Sequence, residues 1–260
     1  MTKSLALRTA GRFLIGLCIC ATLASAATIT ATGVDWNRGA GLWISEDGSP
    51  QDAYFAGVVL INLNENGQQY NRDTMCVDLF TDIYLGVTYD TDLVNPGDVP
   101  GRNLNRVAWL LANALLPTQG PVYSSLLPSS DWVTNSAQGA GLQLAIWDIT
   151  TDGGDGFSAG RVQASTTAGE LTDPATLAWA ETYEKLSVGK TDNDAFVYIN
   201  SGIGSGTPAQ MLEGPIFRDG GPSPVPDPQT PEPATCVLAG VALVGIGLSR
   251  RRGQRASRQD

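Results

Sequence analysis

Cys76 and Gln143 are the two residues in this 260-residue chain whose types and surroundings could support chemistry. Cys76 lies in Met75-Cys76-Val77-Asp78-Leu79, and Gln143 lies in the apolar run Leu142-Gln143-Leu144-Ala145-Ile146-Trp147. A thiol is a nucleophile, and the side-chain carbonyl of glutamine is an acyl group. If the fold presses the Cys76 sulfur against the Gln143 carbonyl, loss of ammonia leaves an internal thioester.

The composition excludes chemistry that needs histidine, and the spacing of the acidic residues offers no candidates for carboxylate catalysis. The chain contains no histidine, which removes Ser-His-Asp and Cys-His activation and the usual zinc sites. A carboxylate-based hydrolase acting on polysaccharide would need two converging acids, and no spacing singles out such a pair. We read Asp152, Asp155 and the Asp192-Asn193-Asp194 triplet as solvated turns, because the twelve-residue calcium loop with its closing glutamate is missing. We therefore predict a protein that is not an enzyme and has no cofactor; we assign no metal ligands, and the sequence leaves calcium binding open.

The N-terminus has the pattern of a secretory signal peptide. Basic residues at positions 3, 8 and 12 precede an apolar run over 13–23 and the small-residue site Ala24-Ser25-Ala26. The apolar run is shorter than the roughly 20 residues that a membrane span needs. We predict that residues 1–26 form a signal peptide cleaved after Ala26.

The C-terminus reads as a linker followed by a short membrane segment. Residues 219–233 carry six prolines at close spacing, which favours an extended, semi-rigid linker. An uncharged run then reaches Leu248, and Arg250-Arg251-Arg252 follow. This order predicts a transmembrane helix over 234–252 and a cytoplasmic tail over 253–260.

Pro231-Glu232-Pro233, the glycine-rich apolar helix and the arginine cluster together resemble the PEP-CTERM sorting signal. That resemblance implies a protein exported by a Gram-negative bacterium and processed by an exosortase. It leaves open whether the helix is retained or removed.

These boundaries define the ectodomain as residues 27–218. Cys18 and Cys20 leave with the signal peptide and Cys236 lies in the membrane segment, so Cys76 has no partner for an internal disulfide. Between Ala27 and Pro233 there are 8 Lys and Arg against 25 Asp and Glu, a net charge of −17. This acidity disfavours nucleic acid as a partner.

Hydrophobic periodicity predicts strands on both sides of a helical group. The strands are expected over 53–63, 74–85, 195–199 and 209–212, and a loop is expected over 89–101. The helices are expected from Asn103 to Leu116, from Ser136 to Thr150, and from the Asp173-Pro174 cap to Gly189. The order predicts an α+β fold, a mainly β barrel- or sandwich-like domain with an inserted helical subdomain.

The two segments around Cys76 and Gln143 resemble the paired signatures of the thioester domains of bacterial surface adhesins. The second block agrees at all six positions, while Met75 departs from the aromatic residue or leucine usual before the cysteine. The resemblance covers roughly residues 53–202. It implies a Cys76–Gln143 cross-link that bonds once to an amine of a partner protein or polysaccharide, with Asp78, Leu142, Ile146 and Trp147 forming its environment.

Three hypotheses therefore remain open. In the first, a surface-displayed module attaches covalently to amines in adhesion or biofilm assembly. In the second, the thioester is a purely structural cross-link. In the third, the protein is a non-reactive surface or matrix protein in which Cys76 is a buried free thiol, since cysteine often packs as a small hydrophobic residue.

Overall fold

Antiparallel strands dominate the part of the chain described by the computed structural model, which covers residues 27–49, 51–115, 125–165, 172–202 and 209–215. All of these residues belong to a compact unit spanning Ser25–Pro228. The predicted signal peptide, linker and membrane segment lie outside the described residues. The α+β class and the predominance of sheet are confirmed.

The strands of the described ranges form an antiparallel sheet in which six strands are paired in a closed ring. Their bounds are β1 Ala27–Glu46, β2 Asp52–Glu65, β3 Gln68–Cys76, β4 Thr88–Val94, β5 Val162–Gln163, β6 Ala195–Gly202 and β7 Leu212–Pro215. The order is β2-β3-β7-β6-β4-β1-β5, and β1 also pairs with β2. Strands β1, β2, β3, β7, β6 and β4 therefore make a closed ring of antiparallel pairs, to which β5 adds at the far end of β1.

The β2–β3 hairpin shows how local sequence sets register. Asn66 and Gly67 both have positive φ, 53° and 81°, as the type I′ turn of a two-residue hairpin requires. Glu65 and Gln68 pair across that turn, and the register continues to Val59 opposite Thr74. The register of β3 thus fixes the position of Cys76 in the sheet.

Two strand predictions and one loop prediction are corrected by the structure. The strand predicted over 74–85 ends at Cys76, because the Asp78 carboxylate accepts hydrogen bonds from Phe80 N and Thr81 Oγ1 and turns the chain out of the sheet. The loop predicted over 89–101 contains β4, whose acidic residues lie on the less buried face. The strand predicted over 209–212 begins only at Leu212.

The three predicted helices are present with nearly the predicted bounds: α1 Leu104–Ala114, α2 Ser136–Thr151 and α3 Pro174–Ser187. Asn135 caps α2 by accepting from Gln138 N, and Asp173 caps α3 by accepting from Thr176 N. Helix α2 is buried almost all round, which explains why its apolar residues are not confined to one face. It packs against β1, β2 and α3, and so carries Gln143 into the core beside the sheet.

Candidate functional site

Cys76 is the last residue of β3 and lies just beneath the surface, with 6% of its area exposed. Its backbone pairs with Leu212 of β7 on one side. On the other side the ladder with β2 has already ended at Thr74. The backbone N–H and C=O on that side of Cys76 therefore need partners from elsewhere.

Gln143 supplies those partners from α2. The Cys76 N–H donates to Gln143 Oε1 at 3.0 Å, and Gln143 Nε2 donates to the Cys76 carbonyl oxygen at 2.6 Å. The Gln143 side chain is completely buried. Its carboxamide thus extends the sheet ladder by one residue and fixes the backbone of Cys76.

The sulfur of Cys76 faces a different glutamine, Gln210. The thiol donates to Gln210 Oε1, with 3.0 Å between Sγ and Oε1. Gln210 Nε2 donates to the Asp78 carbonyl oxygen at 2.8 Å. The carboxamide of Gln210 is therefore held with its oxygen towards the sulfur and its nitrogen towards the turn after β3.

The segment that carries Gln210 is fixed by backbone and side-chain hydrogen bonds. Asn200 Nδ2 donates to the Gln210 carbonyl oxygen at 2.7 Å, and Gln210 N donates to the Asp82 carbonyl oxygen at 3.2 Å. The Val77 N–H donates to the Met211 carbonyl oxygen at 3.0 Å. Gln210, 8% exposed, is thus positioned by β6, by the turn and by the start of β7.

The environment of Cys76 keeps its thiol neutral. Burial, and secondarily the negative charge of Asp78, raise the pKa of Cys76 to about 12. A buried thiolate is therefore disfavoured at neutral pH, whereas a neutral acyl–sulfur bond carries no such cost.

Of the four residues predicted to surround the site, one lies in the turn after β3 and three are buried in α2. Asp78 caps the turn after β3 and lies 3.5 Å from the guanidinium of Arg102. Leu142 and Ile146 are buried in the core. Trp147 is 2% exposed and packs edge-on against Tyr54, with ring centroids 6.2 Å apart.

Gln210 is the residue that sequence reasoning missed. It lies in Ala209-Gln210-Met211-Leu212, which was interpreted only as a strand. The available signal was the one that singled out Gln143, namely a glutamine flanked by apolar residues.

A second polar cluster lies at the C-terminal end of α2. One carboxylate oxygen from each of Asp148, Asp152 and Asp155 lies within 4.8 Å of the others. Burial raises the pKa of Asp148 to about 7 and that of Asp152 to about 6. Oxygen donors of this kind are what hard cations such as Ca²⁺ prefer.

Comparisons with known proteins bear on the C-terminus. Residues 229–252 match the PEP-CTERM protein-sorting motif. The motif marks an exported protein with a membrane-anchoring tail and implies processing by an exosortase-type enzyme, so this part of the sequence prediction is confirmed. Searches of curated proteins and of solved structures found no match.

None of α1, α2 and α3, nor any other helix in the described ranges, is both long and apolar enough to cross a membrane. The predicted span over 234–252 and the sorting residues Pro231, Glu232, Pro233, Arg250, Arg251 and Arg252 lie outside the described residues.

Proposed function

We propose that this exported protein forms an internal thioester at Cys76 and uses it once to bond covalently to an amine of a partner, in adhesion or assembly of an extracellular matrix. The observation that carries the proposal is the 3.0 Å approach of Cys76 Sγ to Gln210 Oε1. The carbon that would be attacked is bonded directly to that oxygen, so the fold holds the acyl group beside the sulfur, as an efficient intramolecular reaction requires.

Two glutamines reach Cys76, and the geometry favours Gln210 as the acyl partner. Gln143, the partner predicted from the sequence, directs both polar atoms of its carboxamide to the Cys76 backbone. A bond from the sulfur to Gln143 would break both of those buried hydrogen bonds, each costing about 1–3 kcal/mol if left unmade. We assign Gln143 the role of a positioning residue.

The formation step is balanced within the site. The Cys76 sulfur bonds to Cδ of Gln210, the Cδ–Nε2 bond breaks, and the thiol proton leaves with the nitrogen as ammonia. The departing nitrogen is the one that donates to the Asp78 carbonyl oxygen. In the later step a partner amine attacks the same carbon, an amide forms, and Cys76 regains its proton as a free thiol.

The burial of the site suits a stored electrophile. Cys76 and Gln210 are 6% and 8% exposed, so water has little access to the bond it would otherwise hydrolyse. Because both residues keep a small exposed area, the amine of a long lysine side chain on a partner could reach the bond.

Intact mass spectrometry of the purified protein tests the proposal. The wild-type protein is expected to weigh one ammonia less than its sequence, and Cys76→Ala and Gln210→Ala are expected to lose that deficit. Gln143→Ala is expected to retain it in a smaller fraction of molecules. Gln69→Ala, a change at an exposed position of β3, is the matched control and should behave as wild type.

Methylamine identifies the acyl residue. The amine should open the thioester and leave an N-methyl amide on Gln210, located by peptide mass spectrometry. A methyl amide on Gln143 would instead support the pair predicted from the sequence. A full-mass wild-type protein with an alkylatable Cys76 after unfolding would overturn the thioester and leave the non-reactive surface protein as the function.

A further inference from the structure

The acidic cluster at the end of α2 involves a fourth carboxylate, from α3. Asp148 lies in the last turns of α2, Asp152 is its C-cap, and Asp155 follows in the next loop. Glu184 of α3 is 9% exposed, and its carboxyl group interacts directly with that of Asp148. Two helices and one loop thus direct acidic groups to one place.

Backbone hydrogen bonds reach one oxygen of Asp148 and one oxygen of Asp152. Gly156 N donates to Asp148 Oδ2 at 3.1 Å, and Arg161 N donates to Asp152 Oδ2 at 2.7 Å. Asp148 Oδ1, Asp152 Oδ1 and Glu184 Oε1 are buried and accept no hydrogen bond. Asp148 is completely buried, and its carboxyl group interacts with those of Glu184 and Asp152 without access to solvent.

Nearby protein cations do not occupy this position. The guanidinium of Arg106 donates to Ser187 Oγ, the Gly153 carbonyl oxygen and the Glu184 carbonyl oxygen, so its charge reaches the carboxylates only through space. Arg161 pairs with Asp47. Neither guanidinium is hydrogen-bonded to the carboxylate oxygens of Asp148 or Glu184, and a cation bound among them would offset the cost of burying several acidic groups together.

The backbone around the cluster leaves room for such an ion. Gly160 has φ of 88°, and a Cβ there would lie 2.6 Å from an oxygen of Asp152 and 2.6 Å from one of Asp155. A cavity of about 590 Å³, lined in part by Gly156 and Glu184, adjoins the cluster. An ion can reach the carboxylates from that side, and water can complete its shell.

We propose that Asp148, Asp152, Asp155 and Glu184 bind a calcium ion. All the donors are carboxylate oxygens from an irregular set of positions, which suits the flexible coordination of Ca²⁺ better than the strict octahedron of Mg²⁺. The site contains no sulfur or imidazole donor, which disfavours zinc and copper. This assignment replaces the solvated turn predicted for Asp152 and Asp155.

The ion would fasten the end of α2 to α3 and to the glycine-rich loop. Helix α2 also carries Gln143, so calcium would stabilise the helix that positions Cys76. The calcium site does not depend on the thioester, because none of its ligands contributes to the bond.

Calorimetric titration of the chelator-dialysed protein with CaCl₂ tests the site. Wild type is expected to bind one ion per chain with a Kd of about 10⁻⁴–10⁻³ M, the range of extracellular modules, and to melt at a higher temperature with calcium. Asp148→Asn and Glu184→Gln are expected to weaken binding by at least about tenfold. Asp92→Asn, which removes an exposed carboxylate from β4, should leave binding unchanged, as should Cys76→Ala.

Two results would overturn the calcium site, and a third would overturn the choice of ion. Absence of calcium binding by folded wild-type protein overturns the site, as does unchanged binding in the Asp148 and Glu184 variants. Tighter binding of MgCl₂ than of CaCl₂ overturns the choice of ion. If Asp148→Asn does not fold, the exposed Asp155→Asn variant provides the same comparison.

Discussion

The sulfur of Cys76 lies 3.0 Å from the side-chain oxygen of Gln210, a residue 134 positions further along the chain. The β3–β7 pairing creates this contact, because Cys76 is registered opposite Leu212 and Gln210 lies two residues earlier. A covalent bond here would join the end of β3 to the segment that leads into β7, the strand with which β3 already pairs.

Opening the thioester should destabilise the protein without any mutation. A cross-link closing a loop of 134 residues constrains the unfolded chain by on the order of 5 kcal/mol in the chain-entropy description. We expect methylamine-treated wild type to unfold at lower urea concentration than untreated protein. Cys76→Ala provides the control, since methylamine should leave its unfolding midpoint unchanged. Equal midpoints for treated and untreated wild type would contradict a stabilising cross-link.

The thiol released by methylamine should be unreactive in the folded protein. Cys76 is 6% exposed, and burial raises its pKa to about 12, so at pH 8 almost none of it is the nucleophilic thiolate. We expect iodoacetamide to label methylamine-treated protein only after unfolding in urea, as measured by intact mass. Rapid labelling of the folded protein at pH 8 would show that the thiol is open to solvent.

The sequence predicted those parts of the fold that local patterns control. Helix α3 begins at its aspartate–proline cap, as the sequence predicted. Strand β4 was missed because its alternating acids resemble a loop until β1 and β6 are known to flank it. Pairing between distant strands leaves no local signature.

The candidate site shows the same division between local and distant information. Cys76 and Gln143 are adjacent, and the apolar run around Gln143 indicated a buried carboxamide, but the sequence could not show that this carboxamide would meet the backbone of Cys76. Which atoms meet depends on the end of the β2–β3 ladder and on the register of β7. The pairing of Asp148 with Glu184 likewise depends on the packing of α2 against α3.

Two glycines of α2 should tolerate no side chain. A Cβ on Gly139 would overlap the carbonyl oxygen of Arg38, and one on Gly141 would lie 2.6 Å from Trp179 Cβ. We expect Gly139→Ala and Gly141→Ala to lower the free energy of unfolding by about 1–3 kcal/mol through overpacking. Gly33→Ala in β1, where a Cβ has open space, is the control, and equal losses in all three variants would contradict steric packing as the cause.

The sorting motif predicts a processing event. Replacing Pro231, Glu232 and Pro233 with alanine should leave the C-terminal segment attached in cells that contain an exosortase. Mass spectrometry of the exported protein measures this, and replacement of Pro222, Pro224 and Pro226 in the linker is the matched control. Normal processing of the alanine variant would show that these three residues are dispensable.

Glu213 should make the protein less stable as pH rises. It is completely buried in β7, and neither carboxyl oxygen has a hydrogen-bond partner. Burial raises its pKa well above the ordinary value of 4.5. The folded state therefore keeps a proton that the unfolded state releases, and stability is lost as pH rises from about 4.5 towards the folded pKa.

We expect Glu213→Gln to remove this contribution, because the amide is uncharged at every pH. Between pH 5 and pH 8 the free energy of unfolding of wild type should carry a negative slope of up to about 1.4 kcal/mol per pH unit from this one group. Urea unfolding at both pH values measures the slope, and Glu181→Gln, at an exposed position of α3, should leave it as in wild type. An equal slope in wild type and Glu213→Gln would mean that Glu213 finds a counter-charge on folding, and that other groups set the pH dependence.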